Sequence, residues 1–363
     1  MHTVRSDRGF ALSEFLIASV ITLAVIGIAI RTFDDALKIN DATLKLTDAG
    51  QNMRSGVNLL VRDLLQAGRD IPTGGIPIPS GAGATVVQRP SPPGWSYAFD
   101  NTTLTTLGAV TSGNNLGQPI GGRQTDMLTI LYGDPFLATL DPPPPVVGGA
   151  SGVQPSTVTT TGPKLSASGD SLSIGNQGAW FNGDLANGVG PVNAGDILLF
   201  TNSTGSAMQT VTSKNATTVF FAASDVFNLN QRSAANGNIT DILGTPMAVK
   251  RIIMTSYFVA ATTPGEPRLM RVSNMATPQA LAGVVEDLQF TYDLVDGTTN
   301  PSNVADVPFI VGSDTFTSSQ IRKVNLRVGV RSEEKSRSTG DYMRHYVTTV
   351  ASLRNLAYVA VYP

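Results

Sequence analysis

The chain has 363 residues, 14% of them charged, with 25 Lys/Arg against 27 Asp/Glu; that near-balance argues against a protein held to nucleic acid or anionic lipid by bulk charge. It contains no Cys and only two His, His2 and His345. This excludes disulfides, a thiolate nucleophile, cysteine-ligated zinc or iron–sulfur centres and a lipid-modified N-terminal cysteine, and it leaves almost no material for histidine-based catalysis.

The first informative stretch is MHTVRSDRG followed by FALSEFLIASVITLAVIGIAI. Residues Phe10–Ile30 would make a helix of about 31 Å, the thickness of a bilayer core. Every residue in it is apolar or small and neutral except Glu14. Arg5 and Arg8 precede it, and Arg31 is followed at once by Asp34 and Asp35, so the basic residues favour a cytoplasmic N-terminus. Three plainer readings compete. A secretory signal peptide should have a shorter apolar region, a small-x-small cleavage site and no acid. An ordinary signal anchor fits the length, and a buried core helix requires a polar face that this segment lacks.

None of the three accounts for Glu14, since a carboxylate in an apolar span costs roughly 2.5–3.5 kcal/mol at mid-membrane and less near an end. A cut between Gly9 and Phe10 would give Phe10 a new α-amino group. Glu14 would then lie four residues on, in the first helical turn, where an amine and the helix N-terminus both present positive charge. The amine can be the chain's own or that of a neighbour packed alongside.

Gly9-Phe10-Ala11-Leu12-Ser13-Glu14, with a short basic leader and a following apolar helix, resembles the class III signal of type IV pilins and pseudopilins. The resemblance implies cleavage after Gly9 by prepilin peptidase and N-methylation of Phe10 by the same enzyme. It also implies that Glu14 helps seat the subunit in a filament. Ser13 is more polar than the aliphatic residue often found before that glutamate.

Beyond the membrane the helical pattern continues. Met53, Val57, Leu60, Leu64 and Ala67 follow a 4-3-4-3 spacing and form one apolar stripe, while Arg54, Asn58, Arg62, Asp63 and Gln66 fall mainly on the other side. Leu44 and Leu46 extend the stripe backwards less clearly, Gly50 and Gly56 read as weak points, and Gly68 and Pro72 supply the stop. The stripe is expected to pack on the chain's own sheet rather than on a coiled-coil partner, which would need more heptads and fewer glycines.

The chain carries 36 Gly and 22 Pro, and they concentrate in two stretches. Residues 72–94 and 141–169, the latter around Pro142-Pro143-Pro144-Pro145, read as loops or extended surface connections. Strands are expected at 126–132, 196–200, 252–259, 269–272 and 346–353, with a hairpin joining 208–212 to 217–221. The clearest alternations are Leu288/Phe290/Tyr292/Leu294 and Val324/Leu326/Val328/Val330, each apolar on one face and polar on the other.

Gly195–Phe200, Arg268–Val272, Val285–Tyr292, Val324–Ser332 and Val350-Ala351-Ser352-Leu353-Arg354-Asn355 look like segments of PilW-type minor pilins. The middle, roughly 72–125 and 141–190, resembles no known segment. The implied architecture is α+β and pilin-like: a long N-terminal helix packed on a mostly antiparallel β-rich domain with long Pro/Gly loops. Its parts would be a leader (1–9), a membrane or filament-core helix (10–30), an amphipathic continuation (31–71) and a β-rich periplasmic or extracellular domain (72–363). The implied partners are prepilin peptidase, other minor and major pilins and the inner-membrane assembly platform, with a role in priming assembly near the pilus tip. The implied location is single-pass in the inner membrane with the N-terminus cytoplasmic, then the pilus or cell surface. A J-type pseudopilin of type II secretion shares these features, and a pilus-borne adhesin would use the same export route.

Other chemistry has little support. His345, flanked by Tyr342, Arg344 and Tyr346, reads as a strand residue. Asp293, Asp296, Gly297 and Asp306 lack EF-hand spacing and read as a solvated turn. The basic run Arg322, Lys323, Arg327, Arg331, Lys335, Arg337 and Arg344 has no phosphate loop or aromatic platform and reads as a solvated strand face rather than a nucleic-acid site. No enzymatic activity, cofactor or metal is expected.

Overall fold

The computed structural model describes residues 12–92, 94–100, 103–137, 140, 154–155, 164–174, 180, 182–183, 190–243, 247–263, 266–336 and 339–355. The Pro142–Pro145 run lies outside them. The fold is α+β: one long N-terminal helix packed on a mostly antiparallel sheet.

Helix α1 runs unbroken over Leu12–Gln66, 55 residues, about 80 Å at 1.5 Å per residue. Its second half behaves as the stripe predicts. Met53, Val57, Leu60, Leu64 and Ala67 are all buried. Leu44 stays exposed, so the stripe does not extend back that far. The helix ends where the left-handed Gly68 (φ +79°) turns the chain and the Gly68 N–H leaves the helix to donate to the Leu131 carbonyl (3.0 Å).

Two expectations about this helix are corrected. Gly56 is not a weak point but a contact: a Cβ there would lie 3.1 Å from both the Ala282 Cβ and the Leu281 carbonyl oxygen. The absent side chain lets helix and sheet approach. Asp63 is not on the wet side but 2% exposed, because the sheet supplies partners for its charge.

The main sheet has nine strands: β1 (Val110–Gly113), β2 (Met127–Gly133), β3 (Ile197–Thr201), β4 (Ser206–Thr210), β5 (Ala248–Thr263), β6 (Glu266–Ser273), β7 (Gln279–Leu294), β8 (Ile321–Lys335) and β9 (Tyr342–Ser352). Their order is β9-β8-β7-β6-β5-β2-β1, with β3 attached to β5 and β4 to β3. The two strongest alternations pair directly, Leu288 opposite Val328, Phe290 opposite Leu326 and Tyr292 opposite Val324. Their apolar sides join the helix stripe in one core with Val110, Leu128, Ile130, Tyr257, Val259 and Leu269. Period-two alternation therefore meets a helical stripe across one interface.

The expected 208–212/217–221 hairpin forms only near its turn, where the Thr212 N–H donates to the Phe220 carbonyl (2.8 Å). Ser206–Thr210 pairs instead with β3, Leu199 opposite Met208. Thr218–Phe220 pairs with Ser213–Lys214 and with Ser171–Ser173 in a separate five-stranded sheet. That small sheet shares a second core with β3, β4 and β5 of the main sheet, where Phe221 meets Phe200 edge-on at 5.6 Å. The turn at Asn202–Gly205, closed by Asn202 N–H to the Gly205 carbonyl (2.9 Å), brings Ser206–Thr210 onto β3.

Residues 72–94 are largely irregular, as read, but not superficial. Ile76, Ile78 and Val87 are fully buried in a third cluster with Phe99, Leu131, Ile252 and Met254. This covers the sheet face opposite α1.

Candidate membrane and assembly helix

Gly9 and Phe10 lie outside the described residues. Glu14 is described, at the third described position of α1. It is the single ionisable side chain between Leu12 and Ile30.

Among the described residues, the segment around it is exposed along its length. Leu12 is 85% exposed and Phe15 71%, and Leu16, Ile17, Val20, Ile21, Leu23, Val25, Ile26, Ile28 and Ile30 are also exposed. The helix is long and apolar enough to cross a membrane, and none of its most apolar window is buried within the molecule. A buried core helix is thereby ruled out for this segment.

The few polar groups in the segment are satisfied locally. Ser19 donates to the Leu16 carbonyl (2.8 Å) and Thr22 to the Ala18 carbonyl (2.7 Å). Each hydroxyl is thus closed on its own helix, as an apolar solvent requires. Charge resumes at Arg31, Asp34, Asp35 and Lys38, where Lys38 bridges Asp34 one turn back at 2.6 Å. The Asp34 carboxylate raises the Lys38 ammonium pKa, chiefly through that hydrogen bond.

Four ties fix this exposed rod to the sheet. Lys45 pairs with Asp41 (3.1 Å) and Glu334 (3.4 Å) and donates to the Lys335 carbonyl (3.0 Å). Gly56 abuts Ala282. The buried Asp63 Oδ2 accepts from Tyr257 OH (2.7 Å) and from Arg271 Nε (2.8 Å), while Arg271 Nε also donates to the Tyr257 oxygen (3.2 Å). Burial, then the adjacent Asp63 carboxylate, pushes the Tyr257 pKa far up. Burial lowers the Arg271 pKa, but the charges of Asp63 and Tyr257 and their hydrogen bonds together outweigh it, and the net direction is up.

The fourth tie comes from near the other end of the chain. Asn355 Nδ2 faces the carbonyls of Ala67 (3.0 Å), Gln66 (3.3 Å) and Leu65 (3.5 Å). These are among the acceptors that a helix C-terminus leaves without partners. No family model, curated protein or solved structure matches this chain.

Sequence reasoning missed Asp63 and Asn355 as structural ties. A signal existed for Asp63, which follows Leu60 by three and precedes Leu64 by one, at the stripe's margin. None existed for Asn355, whose partners are about 290 residues away. His345 lies in β9 opposite Val330. Asp296 closes a turn by accepting from the amides of Thr298 (2.7 Å), Thr299 (2.8 Å) and Asn300 (3.3 Å). Those amides, Thr298 first, hold its carboxyl pKa down. Among the described residues no three His, Cys, Asp or Glu gather to hold a metal.

Proposed function

We propose that this chain is a minor pilin of a type IV pilus. It is held in the inner membrane by its first helical half with the N-terminus cytoplasmic. Prepilin peptidase cleaves it between Gly9 and Phe10 and methylates Phe10, and it then assembles noncovalently with other pilins on the assembly platform, priming the pilus near its tip. Phe10–Ile30 serves first as membrane anchor and then as filament core, with Glu14 neutralised by a terminal amine.

One observation supports this reading above the others: an apolar helix half that is exposed along its length among the described residues, carries a single carboxylate, and continues without a break into a half locked to a sheet. An ordinary anchor needs neither the carboxylate nor the rigid continuation. A rod that moves from bilayer to filament needs both, because the ectodomain must travel with it.

Mass spectrometry of the mature N-terminus tests the proposal. N-methylated Phe10 is the expected first residue, and a chain that retains Met1–Gly9 in cells with active prepilin peptidase refutes it. Deletion of the gene should remove surface pili and leave protein secretion intact. The reverse outcome would assign the chain to a type II secretion pseudopilus as its J-type subunit.

A further inference from the structure

Strand β9 ends the nine-stranded sheet. Its eleven residues pair with β8 and with no other strand among the described residues, so one row of its peptide N–H and C=O groups faces outward. Natural edge strands are blunted by proline, bulges or charge. β9 has no proline, its register along β8 is regular from Arg331/Arg344 to Lys323/Ser352, and its one Lys or Arg is Arg344. That guanidinium is tied down on the sheet face by Glu286 at 2.7 Å.

The face beside this edge is rigid. The Tyr346 ring lies over Gly329, where an added Cβ would come 2.5 Å from it. The Arg327 guanidinium sits 5.1 Å from the Tyr346 ring centre, and that of Arg331 3.8 Å from Tyr342.

Charge is distributed unevenly. Residues 321–355 carry eight Lys/Arg against three Asp/Glu, in a chain whose net charge is −2. Two of those acids are turned to cations elsewhere, Glu333 to Arg268 and Glu334 to Lys45. Across the outward face Lys323 stands beside Ser352 and Arg327 beside Thr348; Arg327 pairs with Asp287 at 3.5 Å yet keeps about half of its side chain exposed. On the helix side the edge presents Val347 and Ala351 instead.

We propose that β9 is a strand-addition site for an extended segment of another protein chain, one that alternates acidic and apolar residues. Backbone pairing gives the affinity. Acids on the outward face meet Arg327 and Lys323, and apolar residues on the other face extend the row of Val347 and Ala351. This inference stands on the edge and its charge and does not depend on the pilus assignment.

The probe is an acetylated, amidated decapeptide alternating glutamate and valine, fluorescently labelled and titrated with the full-length chain in non-ionic detergent. Saturable binding that weakens as salt rises is expected, with at least about tenfold weaker binding for a lysine–valine peptide. A glutamate–valine peptide N-methylated at every residue should lose at least about tenfold as well, since it has no N–H left to donate to the edge. Thr348→Glu, an exposed substitution, should weaken binding several-fold. Absence of saturable binding, equal binding of the lysine peptide, or undiminished binding of the N-methylated peptide overturns the proposal. The last of these outcomes would mean that the basic face, not the strand edge, captures the probe.

Discussion

The Asp63 carboxylate of the helix and the Arg271 guanidinium of the sheet meet at 2.8 Å, with Asp63 2% and Arg271 17% exposed. A buried pair of this kind adds little net stability over an apolar pair but is costly to break, because one charge is left behind. Its position fixes the rotation of α1 over the sheet, and hence the direction in which the exposed half of the helix projects.

Asp63→Asn should therefore destabilise the ectodomain toward the lower end of the ~3–5 kcal/mol seen for broken buried pairs, since Arg271 keeps some water. The double variant Asp63→Leu/Arg271→Met should recover most of that loss. Urea unfolding of the full chain in detergent, followed by near-ultraviolet circular dichroism, measures both. A single variant no less stable than wild type would show that the pair is not load-sharing.

The two helix glycines should respond in opposite directions. A Cβ at Gly50 meets nothing within 4 Å, so Gly50→Ala should stabilise by up to about 1 kcal/mol through helix propensity. Gly56→Leu must displace Ala282 and the Leu281 backbone and should cost about 1–3 kcal/mol by overpacking. The same unfolding assay compares them.

Alkaline pH should weaken the fold. Burial raises Tyr97 to about 12, and burial also raises Tyr132, Tyr257 and Tyr292. Between pH 10 and the folded values the unfolded chain binds fewer protons than the folded one, so stability is full below about pH 10 and falls as pH rises beyond it. Tyrosinate absorbance near 295 nm should then rise together with loss of tertiary signal. Ionisation of all eight tyrosines near pH 10 with the fold intact would contradict this.

Asn355→Ala removes the side-chain donor at the helix C-terminus and should cost about 0.5–1.5 kcal/mol. Amide exchange should speed up at residues 64–68 and hold steady around Met53. Uniform acceleration would point to global rather than terminal loosening.

Glu14→Ala should leave membrane insertion intact or improve it, because an acid is removed from an apolar span. Incorporation into filaments should fall sharply. Fractionation and purification of sheared pili separate the two readouts, and normal incorporation would remove the pairing role assigned to Glu14.

Much of the architecture was legible because it is local. The Phe10–Ile30 run is read from unbroken apolar character over a bilayer's length, the Met53–Ala67 stripe from the 3.6-residue period, and β7 and β8 from the two-residue period. Each pattern also decided which face would be buried. The candidate site was legible for the same reason, since a lone acid in an apolar run needs no fold to be noticed.

The sequence by itself determined the long helix, its exposed apolar half and the alternating strands, because these follow from side chains within a few positions of one another. Only the tertiary structure decided that Ser206–Thr210 pairs with Ile197–Thr201, that Asp63 lies inside, that Gly56 is a contact and that Asn355 meets the end of the helix. Each of these depends on which of several locally equivalent surfaces comes into contact across the fold. That choice is made by packing and by the partners available to a buried charge, not by local periodicity.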